Sequence, residues 1–297
     1  GAEMDLSGSH GSTVTGTANV LMAAVVARGE TIIHGAAREP EIVDLGSFLI
    51  SLGAKLDGLG TSTLRIRGVS QLGGGQHRVI PDRIETATLL LAAAVTEGDA
   101  TVRNCRPDHL SAVLAVLDDA GVMLDLGNDW IRVAISDRPQ PFHFTALPYP
   151  GVPTDLQAPF TALAALADGK SMISDRVFPH RFAHIDGLNE LGARIRQDRA
   201  TAVVTGVDRL LGGEAAACDL RAAAALVLAG LATSDRTVIR NAFHLGRGHE
   251  LFFEKLRTLG AEIDSAALTR RPVESAAEAN FPSSARHEKT QMQLGVT

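Results

Sequence analysis

The sequence predicts an α/β protein built from repeated units of about 70 residues, each read as helix, strand, helix, strand, strand. Three observations carry this reading. Short strand-like segments recur as TIIHG from Thr31, TVRNC from Thr101, SMISD from Ser171 and TVIRN from Thr237, separated by 70, 70 and 66 residues. A second helical stretch after each closes on Gly53, Gly121, Gly192 and Gly260, which lie 68, 71 and 68 residues apart and where a left-handed helix cap is expected. Hydrophobic residues make up 45% of the 297 but aromatics only 4%, so the core must be mostly Ala, Leu, Val and Ile, which suits helices packed on sheets.

The first unit opens with SGSHGSTVTGTAN, residues 7–19, a Gly/Ser/Thr-rich loop running into a helix. On its own it reads as a plain linker, with backbone N–H groups presented to a phosphate as the alternative; the Gly-Lys-Ser/Thr of a P-loop is missing. AAREPEIVD, residues 36–44, sets Arg38, Glu39 and Glu41 at the next helix start, where acids commonly oppose the helix dipole. The strand TLRIRGV completes the unit. GGGQHRVIPDRIET, residues 73–86, mixes glycines with Pro81 and is the expected boundary between a domain over 1–80 and another over 81–264. Asp82, Arg83 and Glu85 sit there, either as a surface ion pair or at the mouth of a cleft.

In the second unit Leu110, Val113, Leu114 and Leu117 fall at i, i+3, i+4 and i+7, one apolar helix face, and WIRVAI is the strand that follows. The third contains PYPGVPTDLQAPF, residues 148–160, where a rigid proline-rich turn feeds a helix. Thr154 or Asp155 is read there as a helix cap, with a positioned general base as the alternative. FPHRFAHIDGL spaces His180 and His184 at i and i+4 around Arg181, but no third ligand stands at a recognisable spacing and no metal is expected. In the fourth unit CDLRAAA puts Asp219 and Arg221 at a helix start, and FHLGRGHE puts Arg247 between glycines, where a guanidinium reaches an anion. Helices sharing one axis and one direction would aim Asp155, Arg181, Asp219, Arg221 and Arg247 at a common cleft, suited to an anionic substrate and a proton transfer. From Ser265 the periodicity is lost, and 265–297 is expected to be a disordered tail.

The net charge of −6 and the scattered arginines offer no field for a polyanion, so no nucleic-acid partner is expected. The longest apolar runs, LLLAAAV from Leu89 and AAAALVLAGLA from Ala222, fall short of the roughly 18 residues a membrane span requires. Two cysteines, Cys105 and Cys218, make no disulfide framework and nothing at the start resembles a signal peptide, so a cytoplasmic protein is expected.

AAREPEIVD, IPDRIET, LPYPGVPTDLQA, DLRAAAALVLAGL and RGHELFFEKLRTLGA, taken in this order, resemble the UDP-N-acetylglucosamine 1-carboxyvinyltransferases, the enolpyruvyl transferases of early peptidoglycan synthesis. The resemblance runs from about Gly1 to Asp264 and implies two domains of inside-out α/β barrel type with the active site between them. The family has six repeats; this chain carries four and a remnant, so about two are expected to precede residue 1. The implied reaction moves the enolpyruvyl group of phosphoenolpyruvate to the 3'-hydroxyl of UDP-N-acetylglucosamine and releases phosphate, with no cofactor and with the full-length enzyme a monomer. By the same resemblance Asp155 deprotonates the hydroxyl, while Arg181, Arg221 and Arg247 surround phosphoenolpyruvate and phosphate, Arg247 counting as catalytic. Ser12, Thr13 and Val14 face the nucleotide diphosphate, Val177 contacts the nucleotide sugar, and Glu39, Arg83, Thr154 and Asp219 are further substrate-binding positions.

Several positions depart from the family pattern. Gly11 stands where a lysine is common, Gly246 replaces an aspartate, Pro179 and His180 replace Glu-Asn, and Pro159 replaces a glutamine. The family's reactive cysteine, with a phosphoenolpyruvate-binding lysine and asparagine, is expected in the portion preceding residue 1. Cys105 and Cys218 do not align with that cysteine, and both are read as buried small side chains. A non-catalytic protein that still binds a sugar nucleotide is therefore the alternative function.

Overall fold

The computed structural model describes residues 1–264; the expected tail, 265–297, lies outside the described residues. The first unit begins with strand β1 (Glu3–Asp5), passes through a small hairpin of β2 (Ser7–Gly8) and β3 (Gly11–Ser12), and enters helix α1 (Val14–Ala24). It continues through β4 (Glu30–His34), α2 (Pro40–Ser51), β5 (Lys55–Asp57) and β6 (Thr63–Arg67). The second comprises α3 (Arg83–Val95), β7 (Asp99–Arg103), α4 (Ser111–Asp119), β8 (Met123–Leu126) and β9 (Trp130–Ala134). Next come β10 (His143–Ala146), α5 (Gln157–Ala164), β11 (Lys170–Asp175), α6 (His184–Glu190), β12 (Arg194–Asp198) and β13 (Thr201–Thr205). The described chain finishes with β14 (Gly213–Ala216), α7 (Leu220–Leu231), β15 (Thr237–Arg240) and α8 (Phe252–Thr258).

Two of the sheets share one topology. The strand order is β1-β4-β6-β5 in one and β10-β11-β13-β12 in the other, with the first pair parallel and the rest antiparallel. The sheet β7-β9-β8 has the same order without the leading strand, and β14-β15 is the leading parallel pair by itself. The two four-stranded sheets are mixed, and among the described residues no sheet closes into a barrel.

The unit therefore starts one element earlier than the sequence pattern predicts, with a strand before the first helix. Its carriers, Glu-Met-Asp, His-Phe-Thr-Ala and Gly-Glu-Ala-Ala, are short and poor in β-branched residues. They are strands because each pairs in parallel with a strand beyond the following helix, a partner invisible to local propensity. The expected helix ends are all present: Gly53, Gly121, Gly192 and Gly260 have φ of 98°, 82°, 86° and 100°, the left-handed turn that stops each second helix.

Helices α3, α5 and α7 pack on one another and place the reactive end of the fold. All eight residues of α5 are buried, as are Ala222 to Ala229 of α7. Alanine-rich faces permit such close approach, so a chain with few aromatics still fills its interior. Buried hydroxyls in these helices turn back on their own backbone, Thr88 Oγ1 donating to Ile84 O and Thr161 Oγ1 to Gln157 O, both at 2.8 Å.

Buried apolar residues form two clusters. One holds Leu21, Ile33, Leu64 and Ile66; the other runs from Ala87 to Leu256 and contains Phe142 and Phe160, edge to face at 5.8 Å. Residues 68–82, between β6 and α3, form no helix or strand. Contact between the two clusters is made at the turn around Tyr149. The carboxylate of Glu39 accepts its backbone N–H at 3.3 Å, Gly11 abuts Pro148, and Arg83, which lies over the Tyr149 ring at 5.7 Å, reaches across to Glu41 of α2. No helix among the described residues is long and apolar enough to cross a membrane.

Candidate active site

Thr154 to Leu156 form a single 3-10 turn ahead of α5. Neither Thr154 nor Asp155 caps the helix, contrary to the simpler expectation from the sequence: no side chain accepts a hydrogen bond at its N-terminus. Both side chains are directed sideways into other bonds. Asp155 Oδ1 accepts from Arg181 Nη1 at 3.1 Å and from Arg221 Nε at 2.9 Å, while Oδ2 has no partner among the described residues. The Asp155 side chain keeps 32% of its exposure, so one carboxylate oxygen is gripped and the other is reachable.

Each arginine is held by its own support. Asp219 caps α7, its Oδ1 accepting the backbone N–H groups of Arg221 and Ala222 at 2.8 Å each, and this sets Arg221 on the first helical turn. Arg181 lies over the Phe178 ring at 4.1 Å, a cation–π contact. Beneath it sits Asp175, wholly buried at the end of β11. Its Oδ2 accepts the Thr154 hydroxyl at 2.5 Å and its Oδ1 accepts the N–H groups of Val177 and Phe178 at 2.8 and 2.7 Å.

Asp155 and Arg221 form one wall of a cavity of about 1010 Å³. Glu41, Asp44 and Phe48 of α2 line it too, together with His77 from the segment before α3. His77 Nε2 lies 2.9 Å from Asp44 Oδ1 and its ring packs on Phe48. His249 is buried near Arg221, Asp82 and Lys255, with neither ring nitrogen bonded; burial first, then Arg221, pushes its pKa down to about 4. Burial likewise takes His184 down to about 4, with Asp219 opposing. Both imidazoles are neutral near pH 7. The arrangement offers a fixed, half-open carboxylate between two guanidinium groups, at the converging starts of α5 and α7, where positive helix-terminal potential also favours anions.

A family model described as EPSP synthase (3-phosphoshikimate 1-carboxyvinyltransferase) matches residues 3–256. The chain belongs to the EPSP synthase family of enolpyruvyl transferases. It is similar to the enolpyruvyl transferase NikO from Streptomyces tendae, at 30% identity and a TM-score of 0.77, over 88% of this chain and 64% of that one. Two structures of EPSP synthase from Acinetobacter baumannii share the fold at 19% identity and a TM-score of 0.65, covering 86% of this chain and 62% and 61% of theirs. The chain thus spans less than two thirds of the length of each of these proteins.

In this member of the family the expected site residues fall into groups. Asp155, Thr154, Arg181, Arg221 and Asp219 are brought together, and Val177 joins them through its backbone bond to Asp175. Arg83 makes a two-pronged ion pair with Glu41, at 3.1 and 3.0 Å, and both line the cavity. Glu39 is buried, its Oε2 without a partner. Ser12, Thr13 and Val14 stand at the start of α1, where Thr13 caps the helix through Gly16 N–H, and no bond links them to Asp155. Arg247 ends a 3-10 turn packed against α7; it is exposed and has no hydrogen-bond or ion-pair partner among the described residues.

Other expectations need revision. Cys105 is buried, but Cys218 is exposed. His184 is buried while His180 is exposed, and no group of three or more His, Cys, Asp or Glu among the described residues is arranged to hold a metal. Glu85 forms a bridge to Lys255 at 2.7 Å rather than an ion pair within its own segment. Sequence reasoning overlooked Asp175, Tyr149, His249 and the Asp44–His77 pair. Of these only Asp175 left a signal, an acid closing a strand just ahead of Arg-Val-Phe.

Proposed function

We propose that this chain takes part in enolpyruvyl transfer from phosphoenolpyruvate to a hydroxyl of UDP-N-acetylglucosamine, with Asp155 as the proton acceptor. The observation that carries this is the state of the Asp155 carboxylate: Oδ1 is fixed by Arg181 and Arg221, and Oδ2 is unengaged on a cavity wall. A base must be positioned and accessible, and this oxygen is both. The acceptor O–H bond breaks as its proton passes to Oδ2, and the freed oxygen attacks C2 of phosphoenolpyruvate, whose C3 takes up a proton. The resulting adduct loses phosphate from C2 and the C3 proton. Arg181, Arg221 and Arg247 are the cations that balance the carboxylate and phosphate of the donor.

The sugar-nucleotide acceptor is supported by AAREPEIVD and PTDLQA. The domain reading, with 1–80 and 81–264 facing each other across the cleft, is supported by the lining of the cavity from both segments. A cytoplasmic monomer is the matching proposal for the complete protein. Phosphate release should be assayed with UDP-N-acetylglucosamine and, separately, with 3-phosphoshikimate. Turnover with the sugar nucleotide alone supports the proposal, and turnover with 3-phosphoshikimate alone overturns the acceptor.

One observation favours the non-catalytic alternative. Gly11, where the family commonly has a lysine, leaves no room for a side chain: a Cβ there would sit 2.5 Å from Pro148 Cγ. Calorimetric binding of the sugar nucleotide with no phosphate release would select this reading.

A further inference from the structure

We propose that Asp175 is a positioning residue that holds Arg181 against Asp155 from within the core, an inference that rests on the enolpyruvyl-transfer reading for its catalytic consequence. The Asp175 side chain is wholly buried and makes three hydrogen bonds, none to a group that lines the cavity. Two of them, to the N–H groups of Val177 and Phe178, shape the segment that carries Arg181 and the ring on which its guanidinium rests. The third, to the Thr154 hydroxyl, fixes the turn that carries Asp155.

The direction of that third bond matters. Because Thr154 donates its only hydroxyl proton to Asp175, its oxygen lone pairs face Arg181, and Nη1 donates to them at 3.3 Å as well as to Asp155 Oδ1 at 3.1 Å. The chain of bonds runs from Arg181 through Thr154 to Asp175, so this one acid orders two separate turns at once. An amide at this position keeps the shape but reverses the polarity. The amide oxygen still accepts from the two backbone N–H groups, while the amide nitrogen donates to Thr154. The hydroxyl proton is then turned toward another donor, Arg181, and the guanidinium is displaced.

The test is Asp175→Asn in the full chain, followed by Arg Nε–Hε NMR and by phosphate-release kinetics. The expected result is a shifted or broadened Arg181 signal and a kcat lower by about 100-fold, the scale of a misplaced catalytic group, with KM little changed. A lower melting temperature with an unchanged Arg181 signal overturns the proposal, because a purely structural acid would behave that way. Should the variant fail to fold, Thr154→Val leaves Asp175 in place and removes the bridge; an unaltered Arg181 signal there overturns it equally. If the unmodified chain releases no phosphate, the transfer reading fails, and the Arg181 signal still decides whether Asp175 positions it.

Discussion

Arg221 Nε lies 2.9 Å from Asp155 Oδ1, although 66 residues separate them in the chain. The bond joins the start of α7 to the turn before α5 and gives the carboxylate its second cation. Arg221→Met keeps most of the stem and removes the donor. It should weaken phosphoenolpyruvate binding by about 10-fold to 100-fold, the value of a hydrogen bond to a charged group. Titration calorimetry checks this, and unchanged affinity would detach Arg221 from the anion site.

Asp155→Asn removes the proton acceptor while keeping the shape and one oxygen for the two arginines. Phosphate release should fall by about 10²-fold to 10⁴-fold, the usual contribution of a positioned base. Circular dichroism should be unchanged. Wild-type turnover in this variant would eliminate Asp155 as the base.

Gly11→Ala tests the packing of the β2–β3 hairpin on the proline turn. Gly11 has φ of 103°, and the new Cβ would stand 2.5 Å from Pro148 Cγ. Backbone strain of this kind costs about 1–3 kcal/mol, and displacement of Pro148 adds to it. Thermal unfolding should register a clear loss; an equal melting temperature would mean that the hairpin does not lie against Pro148.

Acid should destabilise the fold through His184 and His249. Both have folded pKa values lowered from 6.5 to about 4, chiefly by burial. Below the ordinary value the unfolded chain takes up protons that the folded chain refuses, so stability is level above pH 6.5 and falls toward pH 4. Each ring contributes at most about 3 kcal/mol to this slope. His184→Leu should flatten it in a series of melting curves. Identical slopes for the variant and the unmodified chain would show that the ring is hydrated.

The repeat was legible because it is written in local chemistry: Gly53, Gly121, Gly192 and Gly260 each end a helix in a conformation that favours glycine. The leading strands were not, since β1, β10 and β14 owe their form to parallel partners beyond a helix. At the site, Asp155, Arg181 and Arg221 were readable from motif and resemblance, and they do meet. The sequence reads Asp155 as a cap because capping rules see only the neighbouring N–H groups, whereas two distant guanidinium groups take the carboxylate. Asp175 escaped notice for the opposite reason. It lies in a strand as an ordinary polar ending, and only the three-dimensional meeting of two turns makes it central.

The turn at Tyr149 gives the chain an internal optical gauge. The sequence has one tyrosine and one tryptophan. Tyr149 sits where Glu39 reaches its backbone from the first unit and Arg83 of α3, itself paired to Glu41, lies over its ring, and Trp130 lies in β9, inside the sheet of the second unit. Tyrosine emission therefore follows the engagement of the two clusters, while tryptophan emission follows the integrity of one of them. Recorded together during unfolding, the two colours distinguish parting at the cleft from melting of the sheet without any label being added.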